Sequence, residues 1–250
     1  MPSWDPQRYL TYADQRGRPF VDLVARIGAA SPRAVVDLGC GPGNMTMLLA
    51  EKWPEADILG VDSSPDMVQR ARADHPSARW EQADVREWHG EADVLVSNAM
   101  LQWVPDHLAL LPSLAARSAR EWLAFQVPGS ESFPSHTLGE ELASMAEYAA
   151  HTAGREQLVS HDPADYLAAL AADFDVDAWE TTYLHVLHGD DAVFEWFSGT
   201  GLRPILDALP DDLRARYVDE LRPMLRAAYP SRDGVVLLPF RRVFVVGRRR

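Results

Sequence analysis

The sequence predicts an α/β fold built on a mostly parallel sheet, and three observations carry that reading. Short β-type runs recur with helical stretches between them, the alternation that gives right-handed crossovers. The first such run ends directly in a glycine-rich turn, DLGCGPG, residues 37–43. The chain of 250 residues is also long enough to bury the core of one elaborate domain.

The elements follow in order. RAVVDLG (33–39) is a near-continuous apolar run, as expected of a strand buried on both faces. Asn44 is placed to cap the next helix, with Met45, Leu48, Leu49 and Trp53 on one face and Pro54 closing it. ADILGVD (56–62) is the second strand, and Ser64 with Pro65 opens the following helix. ARWEQAD (78–84), ADVLVSNA (92–99) and EWLAFQV (121–127) are three more strands. After Pro128 the rhythm changes. GSESFPSH is loop-like, GEELASMAEYAA reads as one helix, and Asp162 with Pro163 starts another. WETTYLHVL (179–187) is a strand, and 190–229 is mostly helical, with Pro223 expected to kink or end a helix. VVLLPFRRVFVV (235–246) closes the chain as extended structure. The regions 129–172 and 189–232 are read as helical cap insertions added to a single domain, over the binding edge of its sheet.

Composition bounds the function. A formal charge of −13 and a pI near 5.0 argue against a nucleic-acid or anionic-membrane binder, because those partners demand a basic face. The lone cysteine, Cys40, precludes an intrachain disulfide and suits a reducing compartment. The opening MPSWDPQRYL lacks a basic n-region and an apolar h-region, and no apolar run approaches a membrane span. A soluble, cytoplasmic protein is expected. No His/Cys/acid cluster shows metal-ligand spacing, so no metal is expected.

The glycine loop carries the chemistry. Gly39, Gly41 and Gly43 lie between a strand and a helix, where glycine permits positive φ and close approach of a ligand to the backbone. A dinucleotide fingerprint would be G-x-G-x-x-G, seating a pyrophosphate. Here the spacing is G-x-G-x-G, and Asp37 precedes it. A carboxylate there is awkward for a pyrophosphate but agreeable to S-adenosyl-L-methionine, which carries an ammonium and a sulfonium and no phosphate. Asp62, one β-α-β step later, is placed to accept both ribose hydroxyls, and Asp84, a strand further on, the adenine amino group. Ser63 and Val85 adjoin them.

DLGCGPG, GVDSS and QADVREW together resemble the class I S-adenosylmethionine-dependent methyltransferases. The resemblance implies a Rossmann-like, mostly parallel seven-stranded sheet with an antiparallel C-terminal hairpin. It also places SNAMLQWVPDH (97–107) between the methionyl part of the cofactor and the methyl acceptor. Asn98 and Ala99 are then candidates for backbone contact with the cofactor, and Gln102 and Trp103 for positioning near the reacting methyl. The plainer reading of Trp103 is a packed core residue. His107 reads as a helix-start residue rather than a base, and Cys40 as a small packing residue.

WDPQRYL, RGRPFVDLVARI, DLGCGPGN, VDSSPDM, LQWVPDH, WETTYLH, TGLRP and LLPFRRVFVV resemble the trans-aconitate 2-methyltransferase family over most of the chain, least from about 129 to 160. That family methylates one carboxylate of a small tricarboxylate to give a monomethyl ester. A polycarboxylate needs cationic partners, and arginine's fork suits it. Arg203 lies in the Gly-flanked turn SGTGLRP. Arg241 and Arg242 are adjacent on the last strand, so they point to opposite faces. Spacing leaves open which faces inward; the resemblance falls on Arg242. A structural ion pair is the competing reading for each. Tyr9 and Tyr183 are further substrate-contact candidates, and Arg16 and Arg18 are weaker ones. No general base is expected, since a carboxylate is ionised near neutral pH. The rivals are a malonyl-carrier-protein or other small-acid carboxyl methyltransferase, a non-catalytic S-adenosylmethionine-binding regulator, and a dinucleotide oxidoreductase.

Overall fold

The computed structural model describes residues 17–155, 158–199 and 201–250. Seven strands form one sheet: β1 (Ala34–Leu38), β2 (Asp57–Asp62), β3 (Arg79–Gln82), β4 (Ala92–Asn98), β5 (Ala119–Pro128), β6 (Phe174–His188) and β7 (Val235–Arg249). Their order is β3-β2-β1-β4-β5-β7-β6. β1 pairs in parallel with β2 and β4, β2 with β3, and β4 with β5. The two C-terminal strands are antiparallel, so the sheet is the one the resemblance implies. The chain reverses its direction of travel across the sheet between β1 and β4. Such a switch point leaves a crevice beyond the carboxyl ends of the two strands.

The helices are α1 (Arg18–Ala25), α2 (Thr46–Lys52), α3 (Pro65–Asp74), α4 (His107–Ser118), α5 (Pro134–Ala143), α6 (Ala146–Thr152), α7 (Pro163–Leu170), α8 (Ala192–Ser198), α9 (Arg203–Ala208) and α10 (Asp211–Ala228). A 3₁₀ turn spans Leu101–Trp103. Ser64 opens α3 as read, its Oγ accepting from the Met67 N–H at 3.4 Å. Asp162 and Asp165 form a capping box at the start of α7.

Two local expectations fail, each for a visible reason. Asn44 does not cap α2. The helix starts later, the Met47 N–H goes to the Gly43 carbonyl, and the Asn44 Oδ1 lies 3.2 Å from His75 Nε2. The stretch 139–150 is two helices, because extended Met145 interrupts it and the Ser144 hydroxyl donates back to the Glu141 carbonyl at 2.7 Å. Pro223 does not end its helix. It sits inside α10 on the exposed side, where water can reach the carbonyl it leaves unpaired, while Tyr217, Leu221 and Leu225 hold the buried side.

The chain divides into two compact units. The first comprises residues up to 127, 161–181 and 242–250; its core includes Val36, Leu95, Leu123, Phe125, Tyr166 and Val243. β1 and β4 are buried along nearly their whole length, as their unbroken apolar runs require. The second comprises 128–160 and 182–241, with its own core around Tyr148, Phe197, Ile205, Tyr217 and Leu238. Both long strands, β6 and β7, contribute residues to each unit.

Candidate active site

β1 delivers Asp37 to its carboxyl end with the side chain almost fully buried. The Thr46 hydroxyl donates to Asp37 Oδ2 at 2.6 Å, and Oδ1 has no hydrogen-bond partner among the described residues. Burial pushes the carboxyl up to about 6; the Thr46 bond opposes this and the nearby Asp62 charge adds to it. A buried, half-satisfied carboxylate of this kind fits an incoming ammonium.

The turn after β1 is stitched to β2. Gly39 and Cys40 both donate N–H to the Val61 carbonyl, at 2.7 and 3.1 Å. Gly41 takes φ +54°, and no atom stands within 4 Å of where its Cβ would be. The backbone is therefore bare at that point. The Gly41 N–H donates to Asp62 Oδ2 at 2.8 Å and the Ser64 N–H to Oδ1 at 2.9 Å. Each oxygen keeps a lone pair, which leaves this half-buried carboxylate able to accept two vicinal hydroxyls. Ser63, beside it, is exposed. Asp84 is otherwise engaged: Arg86 grips it with Nη2 to Oδ2 at 2.5 Å and holds its carboxyl below the usual carboxylate range. Val85, next along, is buried core.

The end of β4 is shaped by an unusual backbone. Ala99 adopts φ +53° and donates its N–H to the Gln126 carbonyl at 2.9 Å. Gln102 is buried, its Nε2 donating to the Ala99 carbonyl at 2.6 Å, and its Oε1 lacks a partner among the described residues. Trp103 is 43% exposed, so it is not the packed core residue of the plainer reading. His107 is fully buried and bonded to Tyr166, which fits its helix-start role.

On β7 the adjacent arginines part as strand geometry demands. Arg242 is buried and its Nη1 donates to Gln126 Oε1 at 3.2 Å. Arg241 is half-buried, its Nη1 donating to the Gly129 carbonyl at 3.2 Å. In the second unit, Tyr183 is buried on β6, while Arg203 begins α9 as an exposed residue paired with Asp207 at 3.2 Å. Arg18 is exposed and lies 3.9 Å from Asp22. Tyr9 and Arg16 fall outside the described residues.

The first unit thus carries Asp37, the glycines, Asp62, Asn98 and Ala99 at the carboxyl ends of the neighbouring strands β2, β1 and β4, and Arg242 on β7, which Gln126 of the intervening β5 links to Asn98. Thr46 and Gln126 were missed by sequence reasoning. A buried polar residue opening the apolar TMLLAEK helix was the available signal for Thr46; nothing in EWLAFQV marked Gln126. Among the described residues no group of three or more His, Cys, Asp or Glu could hold a metal ion, and no helix is long and apolar enough to cross a membrane.

Sheet order and strand-end acids together define a Rossmann-like methyltransferase domain, and a family described as a methyltransferase domain matches residues 12–181. Solved structures share the fold. The YcgJ protein from Bacillus subtilis aligns with a TM-score of 0.58 at 12% identity, covering 92% of this chain and 97% of that one. Geranyl diphosphate C-methyltransferase from Streptomyces coelicolor A3(2) aligns with a TM-score of 0.52 at 13% identity, over 93% and 80%. Sequence relatives are far nearer. A trans-aconitate 2-methyltransferase from Rhodococcus jostii is 49% identical over 98% of this chain and 99% of its own. One from Mycobacterium marinum is 47% identical over 97% and 95%. The chain belongs to the trans-aconitate 2-methyltransferase family.

Proposed function

We propose that the protein transfers the methyl group of S-adenosyl-L-methionine to one carboxylate of trans-aconitate, forming a monomethyl ester. The observation that carries this reading is the near-half identity, sustained along the whole chain, to enzymes of that name. The bound cofactor supplies an electrophilic methyl on a sulfonium. Asp37 receives the ammonium of its amino-acid head at Oδ1, Asp62 its ribose hydroxyls, and the bare backbone at Gly41 lets it lie close, while Gly39 and Gly43, packed under Met100 and Trp80, shape the turn. Ser63, Asp84 and Val85 flank its adenosine, with Asp84 acting as an acceptor while Arg86 holds it, and Ala99 faces the methionyl side.

The acceptor carboxylate is already ionised, so no side chain need remove a proton. An anion meets a cation in this reaction, and a water-poor site favours the neutralised transition state. A strong cationic grip on the attacking oxygen would oppose that gain. Arg242, and Arg203 in the second unit, are therefore assigned to the other carboxylates, with Trp103, Tyr183 and Tyr9 as additional substrate contacts. Gln102 orders the loop through the Ala99 carbonyl. Catalysis is then chiefly proximity and alignment. The additions 129–172 and 189–232 are assigned the choice of acid.

The test is methyl transfer from labelled cofactor to trans-aconitate, cis-aconitate, isocitrate and a malonyl-carrier protein. Selective turnover of trans-aconitate supports the reading. Turnover of the carrier protein alone, or of none of the acids despite tight cofactor binding, overturns it.

A further inference from the structure

Asn98 and Gln126 stand directly opposite each other on β4 and β5. Asp37 stands opposite Val96, two residues before Asn98, so Asp37, Asn98 and Gln126 share one face of the sheet near its carboxyl edge. Gln126 is buried, and Arg242 reaches it from β7.

The chemistry of these groups fixes the direction of every bond. A guanidinium only donates, so the Gln126 oxygen must face Arg242, which it does at 3.2 Å. The Gln126 amide nitrogen is thereby turned to Asn98, donating to Asn98 Oδ1 at 2.5 Å. The Asn98 oxygen is then spent, and its Nδ2 is the group left over. Asn98 is half-exposed, and among the described residues its Nδ2 has no hydrogen-bond partner. Arg242, through Gln126, thus sets Asn98 to present a donor rather than an acceptor. A chain of bonds that starts at a fixed positive charge polarises that last N–H.

We propose that Asn98 binds a carboxylate through Nδ2, and that Gln126 is the positioning residue that holds it in the donating orientation. Carboxylates come from two sources in the reaction, the cofactor's amino-acid head and the acceptor acid. Only the second rests on the trans-aconitate reading. The assignment extends Asn98 from a backbone contact to a side-chain ligand, and gives Arg242 a second task besides any direct contact with the acid.

Calorimetry with S-adenosylhomocysteine, and then with trans-aconitate added to that complex, tests it. Asn98→Asp replaces the donor by a negative acceptor, and a lost charge-assisted bond weakens binding by about 10- to 100-fold. Weakening of S-adenosylhomocysteine identifies the cofactor's carboxylate, and weakening of trans-aconitate alone identifies the acid's. Lowering the pH should restore part of the Asn98→Asp loss relative to Asn98→Ala, because a protonated carboxyl donates again. Gln126→Glu accepts from both neighbours, turns the Asn98 amide inward, and should reproduce the loss with Asn98 itself untouched. A purely structural role predicts neither the pH recovery nor the inversion. Wild-type-like affinity, within about twofold, for both ligands in folded Asn98→Asp overturns the proposal. If wild type does not bind trans-aconitate, the substrate reading fails separately, and unchanged S-adenosylhomocysteine affinity in Asn98→Asp then overturns the proposal alone.

Discussion

Met100 lies over Gly39 so closely that a Cβ on the glycine would stand 2.3 Å from the methionine Cγ. Gly39 also has φ +78°, a conformation that side chains with a Cβ rarely adopt. Gly39→Ala should therefore cost about 2–4 kcal/mol through strain and overpacking together. Gly41→Ala meets no neighbour within 4 Å and should cost only about 1 kcal/mol for its backbone. Its penalty should fall on S-adenosylhomocysteine affinity instead. Denaturant titration beside calorimetry separates the two; equal stability losses would contradict the assignment of an open cradle at Gly41.

Asp37 makes the cofactor site pH-dependent. Its folded carboxyl titrates at about 6, above the ordinary 3.8, so ionising it costs stability. Stability due to this group is present at low pH, falls as pH rises through that window, and is level above about 6. An ammonium at Oδ1 favours the ionised form. Cofactor affinity should therefore rise with pH, by up to roughly tenfold per unit below the folded value, and flatten above it. Asp37→Asn should abolish the slope and weaken binding throughout. A slope retained in that variant assigns the titration to another group.

His107 and Tyr166 form a directional relay in the first unit. His107 Nδ1 faces the Val104 carbonyl at 3.2 Å and so carries the proton. Nε2 then accepts from the Tyr166 hydroxyl at 2.8 Å, whose oxygen accepts the His161 N–H at 3.2 Å. Burial lowers the His107 pKa below its ordinary 6.5, so this contribution to stability is present above that value and is lost as pH falls through it. Tyr166→Phe should destabilise by about 1–3 kcal/mol while KM for the acid stays the same. Thermal melts and kinetics check both halves.

Arg242→Ala should raise KM for trans-aconitate by about 10- to 100-fold with a smaller effect on kcat, as loss of a charge-assisted anchor predicts. Arg203→Ala should do less, because its guanidinium is exposed and paired with Asp207. Steady-state kinetics of the two variants side by side would reverse the ranking if Arg203 were the main anchor.

Legibility in the sequence followed physical strength. Strands buried on both faces declare themselves as apolar runs, so AVVDL and ADVLVSN were plain, and the glycine turn between strand and helix marked where a ligand is expected. Helix boundaries hang on smaller energies. Asn44 lost its capping role to a competing carbonyl, and Pro223 was tolerated because its gap faces water. The site divides similarly. Acids at strand ends follow from topology, whereas the Gln126 bridge depends on register across β4, β5 and β7, and residues far apart in the chain reveal it only once paired. Arg241 and Arg242 were known to part; which one turned inward needed the strand itself.

The strand order also has a cost in time. β7 separates β5 from β6 in the sheet, yet it is the last strand to be made. On a ribosome adding about 5–20 residues per second, the outer edge of β5 waits roughly 5–20 s for its partner. Throughout that interval a long apolar strand presents unpaired backbone, open to any other nascent chain. The residues after position 128 must therefore be synthesised while the half-built sheet is vulnerable. Shielding by chaperones, or slow synthesis of few copies at a time, should raise the soluble yield of this protein more than any change to its finished surface.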